Sequence, residues 1–373
     1  MKLNNPFIIT GYNAPEYFCD RQKETAAIGD ALKNERNITL IAPRRMGKTG
    51  LIKNVFYRIE LEENIIPIYI DIFSTQNLNG FVQLFASSVI GALSTKSEKV
   101  IKKVGSFFKS CRPTIVFDEL TGLPQITVDI IPDKEESTLK EVFNYIGNCN
   151  KRCVIAIDEF QQIAEYPERG VEALLRSYIQ FIPNAHFIFA GSKQHLMQEM
   201  FLSAKRPFYQ STQLITLDAI GKDAYYNFAN SFFEAKRLSI SPDAFSMMYD
   251  EFEGHTWYIQ ALLNRLYGYG KRVTDASLIN KAIQELVNEG EYGYQNLLSA
   301  YSSAAVRLMK AVAKEGTVKE INSGTFISKY SLHAASSVNT VLKKLIEKEI
   351  IYKSTQGYSV YDRFMSIWLK RQP

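Results

Sequence analysis

Ile38-Thr39-Leu40-Ile41-Ala42-Pro43-Arg44-Arg45-Met46-Gly47-Lys48-Thr49-Gly50 begins as a short apolar, β-prone run and breaks into a loop that closes on Gly-Lys-Thr. A phosphate-binding loop has Gly, four residues, then Gly-Lys and Ser or Thr. Here Ala42 stands at the first Gly. Leu51-Ile52-Lys53-Asn54-Val55-Phe56 follows with apolar residues at helical spacing. The pattern predicts strand, tight loop and helix, the setting in which loop amides and a helix N-terminus converge on an anion. Lys48 is then placed to reach the β- and γ-phosphates of a nucleotide, and the Thr49 hydroxyl to bind Mg²⁺. Pro43, Arg44, Arg45, Met46, Gly47 and Gly50 complete the nucleotide-binding stretch. An ordinary helix start could carry the same Gly-Lys-Thr, so a second signal is needed.

Cys153-Val154-Ile155-Ala156-Ile157-Asp158-Glu159-Phe160 supplies it. A continuous apolar run suits a strand covered on both faces, as in parallel sheets. Acids at the carboxyl end of such a strand lie in the crevice where open α/β sheets bind ligands. Asp158 is expected to hold Mg²⁺, directly or through water, and Glu159 to orient and deprotonate an attacking water. Ala185-His186-Phe187-Ile188-Phe189-Ala190-Gly191-Ser192 is a third run, ending in a hydroxyl residue beside the carboxylate strand. Ser192 can sense the γ-phosphate there, or it can cap the helix that follows.

The chain has 373 residues, 46% of them hydrophobic and 22% charged, enough to fold as two or three domains. No run is long and apolar enough to span a membrane, and Met1-Lys2-Leu3-Asn4-Asn5-Pro6 lacks a signal-peptide core. Cys19, Cys111, Cys149 and Cys153 form no CxxC pair, and no His lies near Cys149 and Cys153 to complete a metal site. A cytoplasmic protein without membrane contact is expected. The net charge of +5 permits nucleic-acid contact without demanding it.

Strands and helices alternate as far as Leu217, which predicts a parallel sheet flanked by helices. Ile65 to Ile72 is a second strand, and a helix covers residues 79–93. Between about 97 and 134 a Lys-rich stretch, Lys96 to Lys109, leads into Thr114 to Phe117, the turn Thr121-Gly122-Leu123-Pro124 and Gln125 to Val128, an inserted β-hairpin. After Lys222 the strand signals vanish, and helices are predicted near 222–236, 241–252, 256–269 and 275–289. Ser303 to Ala313, Gly324 to Tyr330 and Ala334 to Glu347 read as three more helices. The short strands Ile350 to Lys353 and Gly357 to Val360 then complete a winged-helix outline. Its third helix carries Ser336, Ser337, Asn339, Thr340, Lys343 and Lys344, a face that would enter a DNA major groove or serve internal packing.

Taken together, these residues resemble the archaeal-type P-loop ATPases, a branch of the STAND and AAA+ superfamily. The resemblance is carried by Phe18-Cys19-Asp20-Arg21-Gln22-Lys23-Glu24, by the Pro-Arg-Arg-Met-Gly-Lys-Thr loop and by Ile157-Asp158-Glu159-Phe160-Gln161. Ala190-Gly191-Ser192, Pro207-Phe208-Tyr209 and Val360 to Leu369 add to it. It implies an α/β P-loop NTPase core over residues 1–220, a helical lid over 221–292 and a winged helix over 293–373. It also implies ATP and ADP as ligands, with Mg²⁺. Phe18 and Arg21 would lie near the adenine, and Arg206 would be an arginine finger, with Arg44 and Arg45 as alternative cations. Gly254-His255-Thr256 is similar to the family's lid turn, with Thr256 where the family has Pro. The expected function is a slow Mg²⁺-dependent ATPase acting as a nucleotide-controlled switch, with a protein partner or a second copy supplying any finger in trans. The alternatives are a DNA-binding or DNA-remodelling protein that uses ATP as a conformational ligand, and a non-hydrolysing scaffold.

Overall fold

The computed structural model describes residues 3–60, 64–94, 106–118, 122–354 and 356–372. The chain divides into two compact units, Thr10–Ala224 and Met1–Ile9 with Tyr225–Pro373.

The first unit is built on five parallel strands: β1 (Ile38–Ile41), β2 (Ile65–Asp71), β5 (Arg152–Asp158), β6 (Ala185–Gly191) and β7 (Gln213–Thr216), in the order β2-β5-β6-β1-β7. Side chains of β5 and β6 alternate between two cores, as the two-residue period of a strand requires. Ile155, Ile157, Phe187 and Phe189 face the helices Leu78–Leu93 and Glu135–Gly147. Val154, Ala156, Ile188 and Ala190 pack with β1 against Gln22–Lys33 and Lys48–Ile59. Covering both faces explains why the predicted strands read as unbroken apolar runs rather than alternating ones.

The inserted hairpin is present as β3 (Cys111–Phe117) and β4 (Pro124–Ile130), antiparallel in the register Cys111↔Ile130 to Phe117↔Pro124. Its inner residues Cys111, Ile126 and Val128 join the core under Leu78–Leu93. Thr121 of the expected turn and the Lys-rich stretch before residue 106 lie outside the described residues.

The second unit holds the four predicted helices, now Lys222–Ala235, Pro242–Glu251, Thr256–Gly268 and Ala276–Ser299, the first of which begins at the end of the other unit. Phe7 from the N-terminal segment is fully buried among Phe228, Phe232, Phe233 and Tyr267, with ring centroids 5.5–6.4 Å away. Asn264 clamps that segment by donating to the Phe7 carbonyl at 2.7 Å. Helices Ser303–Glu315, Gly324–Lys329 and Ala335–Glu347, with the antiparallel pair β8 (Ile351–Lys353) and β9 (Tyr358–Val360), form the winged-helix outline.

Two features differ from the sequence reading. Ala276–Ser299 runs ten residues past its expected end at 289, so the expected boundary at 292 falls inside a continuous helix. Residues 363–371 form a further helix, capped by Asp362, which accepts from the Met365 amide at 3.0 Å. Trp368 of this helix donates to Glu291 at 3.2 Å and ties it to Ala276–Ser299.

Where β6 ends, Gly191 admits no side chain. A Cβ there would lie 2.3 Å from Gln161 Oε1 and 2.5 Å from the Met197 sulfur. Gly191→Ala is therefore expected to destabilise the protein by about 1–3 kcal/mol, as overpacked sites do. A thermal or denaturant midpoint equal to that of the parent would show that the crowding is relieved without cost.

Candidate nucleotide-binding site

The loop between β1 and the helix Lys48–Ile59 has the backbone that the sequence requires. Gly47 sits at φ 95°, where a Cβ is disfavoured, and Arg45 also takes the left-handed region at φ 67°. Ala42 is not among the positive-φ residues and is fully buried against the β1 core. Its Cβ is therefore tolerated where the motif usually has Gly. No side-chain cap bond is made at Gly47, where the helix that starts at Lys48 begins. The buried Lys48 ammonium donates to the Ala42 carbonyl at 3.2 Å and to that of Pro43 at 3.5 Å, so it lies within the curve of the loop.

Arg21 clamps the loop from outside. It is 4% exposed and donates to the Met46 carbonyl at 3.2 Å and to Glu24 at 2.9 Å. Phe18 lies over Gly50, with its ring 3.2 Å from where a Cβ would stand, and edge-on to Tyr12 at 6.0 Å. Both residues lie against the loop, and Arg21 bonds to its backbone.

β6 separates β1 from β5, yet the two motifs meet. Thr49 Oγ1 donates to Asp158 Oδ2 at 2.7 Å. Asp158 is 2% exposed and also accepts from the Tyr69 hydroxyl at 2.8 Å and from the Glu159 amide at 3.0 Å. Glu159 follows at φ 57°, a left-handed conformation costing about 1–2 kcal/mol for a residue with a Cβ. Side-chain bonds hold it there: Ser192 Oγ donates to Glu159 Oε2 at 2.7 Å, and Gln161 donates to the same oxygen. Ser192 is not the helix cap, since the capping position is Lys193 and the Ser192 hydroxyl points to the acid. Arg44 extends the chain, with Nε 3.4 Å from Ser192 Oγ and its guanidinium 5.5 Å from the centre of the Phe73 ring.

The structure does not bring Arg206 into this cluster. It pairs with Glu172, and with Glu199 at 3.3 Å. Burial raises the Glu172 carboxyl above its ordinary range, while Arg206 opposes the shift. Thr256, in the other unit, opens the helix Thr256–Gly268, a position where Pro is also accommodated, so its replacement of Pro leaves the helix start intact. Sequence reasoning missed Tyr69, because nothing in Ile65 to Ile72 marks its hydroxyl as a partner of an acid nearly ninety residues later. It also gave Gln161 no separate role.

The oxygen set suits Mg²⁺. Among the described residues no cluster of three or more His, Cys, Asp or Glu side chains could hold a metal ion. One hydroxyl beside one buried carboxylate fits an ion that keeps water and phosphate oxygens as most of its ligands.

Residues 18–262 match the family described as an ATPase domain predominantly from Archaea, and residues 292–371 match a probable winged helix domain. The chain belongs to that ATPase family. An uncharacterised ATP-binding protein of Methanocaldococcus jannaschii is 22% identical over 79% of this chain and 86% of its own length. An uncharacterised HTH-type transcriptional regulator of the same organism is 19% identical over 93% of this chain and 86% of its own length. Among solved structures, the Walker-type ATPase of Pyrococcus abyssi is 16% identical and superposes with a TM-score of 0.66 over 98% of this chain and 99% of that one. The Aeropyrum pernix ORC2 protein, solved as ADPNP and ADP complexes, is 15% identical and superposes with a TM-score of 0.60 over 98% of this chain and 95% of that one. The fold is that of a P-loop NTPase core followed by a helical region and a winged helix.

Arg206→Ala leaves the half-buried Glu172 without its closest cation. It is expected to cost about 1–3 kcal/mol of stability with no nucleotide present. A nucleotide-free unfolding midpoint unaffected by the substitution would mean that the pair contributes nothing to the fold.

Proposed function

We propose that this protein binds ATP with Mg²⁺ at the loop Pro43–Gly50 and hydrolyses it slowly, as a nucleotide-controlled switch. The observation that carries the reading is the convergence of two bonds, Thr49 to Asp158 and Ser192 to Glu159, each 2.7 Å long. Separate strands bring a phosphate-loop hydroxyl to a buried acid, and a polar strand end to a second acid beside it. The loop amides and Lys48 bind the phosphates. Glu159 accepts a proton from water as the water oxygen bonds to the γ-phosphorus. The bond from that phosphorus to the bridging oxygen breaks, and ADP and phosphate leave. Thr49 and Asp158 are the residues that would hold Mg²⁺, which neutralises phosphate charge. Ser192 holds Glu159 and lies where it can meet the γ-phosphate or the water. Phe18 offers an aromatic face to the adenine.

Arg44 is the cation already at the Ser192–Glu159 pair, whereas Arg206 would first have to leave Glu172. A cation acting in cis is therefore the preferred reading. Turnover per molecule is expected to be flat as protein concentration rises. A rate per molecule that climbs with concentration would instead support a site shared between copies.

Two variants test the core assignment. Lys48→Ala is expected to abolish ATP binding. Glu159→Gln is expected to keep binding and lose about 10²-fold or more in turnover, the scale of a positioned general base. Undiminished affinity in the first, or undiminished turnover in the second, would remove the residue from its role.

A second reading concerns the winged helix. On Ala335–Glu347, Ser336, Ser337, Asn339, Thr340, Lys343 and Lys344 are all exposed, while Val338, Leu342 and Leu345 face the core. An exposed face favours DNA contact over internal packing, and the similarity to an HTH-type regulator points the same way. Binding to duplex DNA is expected to weaken steeply with salt. Replacing Lys343 and Lys344 by Glu should reduce both affinity and salt slope. Binding indifferent to that double change would assign the face to something else.

A further inference from the structure

Tyr69 is the one described hydrogen-bond partner of the Asp158 side chain that comes from neither nucleotide motif. It sits in β2 opposite Ala156, diagonally across the strand pair from Asp158. Ala156 is fully buried and small, so the phenol ring can pass over it to the acid. The Lys53 ammonium lies 3.7 Å from the centre of the Tyr69 ring. Lys53 belongs to the helix that begins with Lys48 and Thr49, so Tyr69 braces that helix to the acid strand.

A carboxylate oxygen has about two acceptor sites. Both sites of Asp158 Oδ2 are taken, by Thr49 at 2.7 Å and Tyr69 at 2.8 Å. Oδ1 accepts only the Glu159 amide, at 3.0 Å, among the described residues, which leaves it one site. In the bond to Oδ2 the Tyr69 hydroxyl is the donor and the carboxylate oxygen the acceptor.

We propose that Tyr69 is a positioning residue: its hydroxyl, together with that of Thr49, holds Asp158 Oδ2 and so fixes the orientation in which the carboxylate would meet Mg²⁺. This rests on the Mg²⁺–ATP reading above.

The test measures binding of ATP by calorimetry in EDTA and across a Mg²⁺ series, for the parent protein, Tyr69→Phe and Asp158→Asn. Thermal midpoints of the nucleotide-free proteins are recorded alongside. Tyr69→Phe preserves the ring and its contact with Lys53. It is expected to keep the metal-free affinity and to raise the Mg²⁺ concentration for half-maximal tightening about tenfold, the scale on which partners of metal ligands act. Electron paramagnetic resonance of the Mn²⁺–nucleotide complex is expected to show an altered line shape in the same variant. A Mg²⁺ dependence equal to that of the parent would overturn the proposal. So would an equal loss of affinity with and without metal, because that is the behaviour of a merely structural residue. If Asp158→Asn shifts the Mg²⁺ dependence and Tyr69→Phe does not, the Tyr69 role alone falls. If neither variant shifts it, the metal reading of the site falls as well.

Discussion

A buried carboxylate cannot stay charged without donors around it, and Asp158 is 2% exposed. Its three donors come from three places in the chain: Thr49 after β1, Tyr69 in β2 and the Glu159 amide after β5. Each can reach the acid only if the strands are ordered as they are. β1 and β5 do not pair, because β6 lies between them. At the end of β6, Gly191 leaves room for the side chains of Gln161 and Met197. Satisfying one buried acid thus constrains the sheet order and the seating of the first turn after the loop.

The loop and the second acid show how backbone conformation is apportioned. Ala42 has an ordinary φ and a buried Cβ, so a residue other than Gly adds apolar contact there. Gly47, at φ 95°, has no such latitude. Glu159 takes a left-handed conformation without being Gly, and it is the side chain proposed above as the base. Strain of this kind persists where surrounding bonds over-determine it. Here the backbone bond to Asp158 and the side-chain bonds from Ser192 and Gln161 do so. The same bonds restrict the carboxylate's rotation, so the acid is oriented before any ligand arrives.

What the sequence revealed and what it withheld divide along range. The core strands, the loop and the paired acids were legible because each is a local pattern: an apolar run, a Gly-Lys-Thr turn, carboxylates at a strand end. The hairpin was legible from its turn residues, although its strands extend further than β propensity alone indicated. Tyr69 was not legible, because a tyrosine in an apolar strand reads as core and its hydroxyl finds Asp158 only after β2 pairs with β5. The partners of Arg206 were hidden for the same reason, since Glu172 is brought to it by folding. The terminal helix was read only as part of a motif. Its stretch Arg363 to Arg371 is short, and its apolar side is completed by Ala276–Ser299, which the periodicity ended too early.

The second unit adds a mechanical argument. Arg363, at the start of the terminal helix, donates to Glu253 at 2.6 Å and to the Tyr352 hydroxyl at 2.8 Å, and its amide donates to the Tyr258 hydroxyl at 3.1 Å. Beside it, Phe364 packs edge-on against Phe252 and Tyr258, with centroids 5.3 and 5.1 Å away. Glu253, Phe252 and Tyr258 belong to the helical region, and Tyr352 to the wing strands. The ion pair itself is partly exposed and worth little alone. The aromatic packing around it is buried, and aromatic pairs add about 0.5–1.5 kcal/mol each beyond their area. The helical region and the winged helix are thereby joined as parts of one body. The chain passes between that body and the sheet unit twice, after Ile9 and after Ala224. Within that body, the packed aromatics join the helical region to the winged helix.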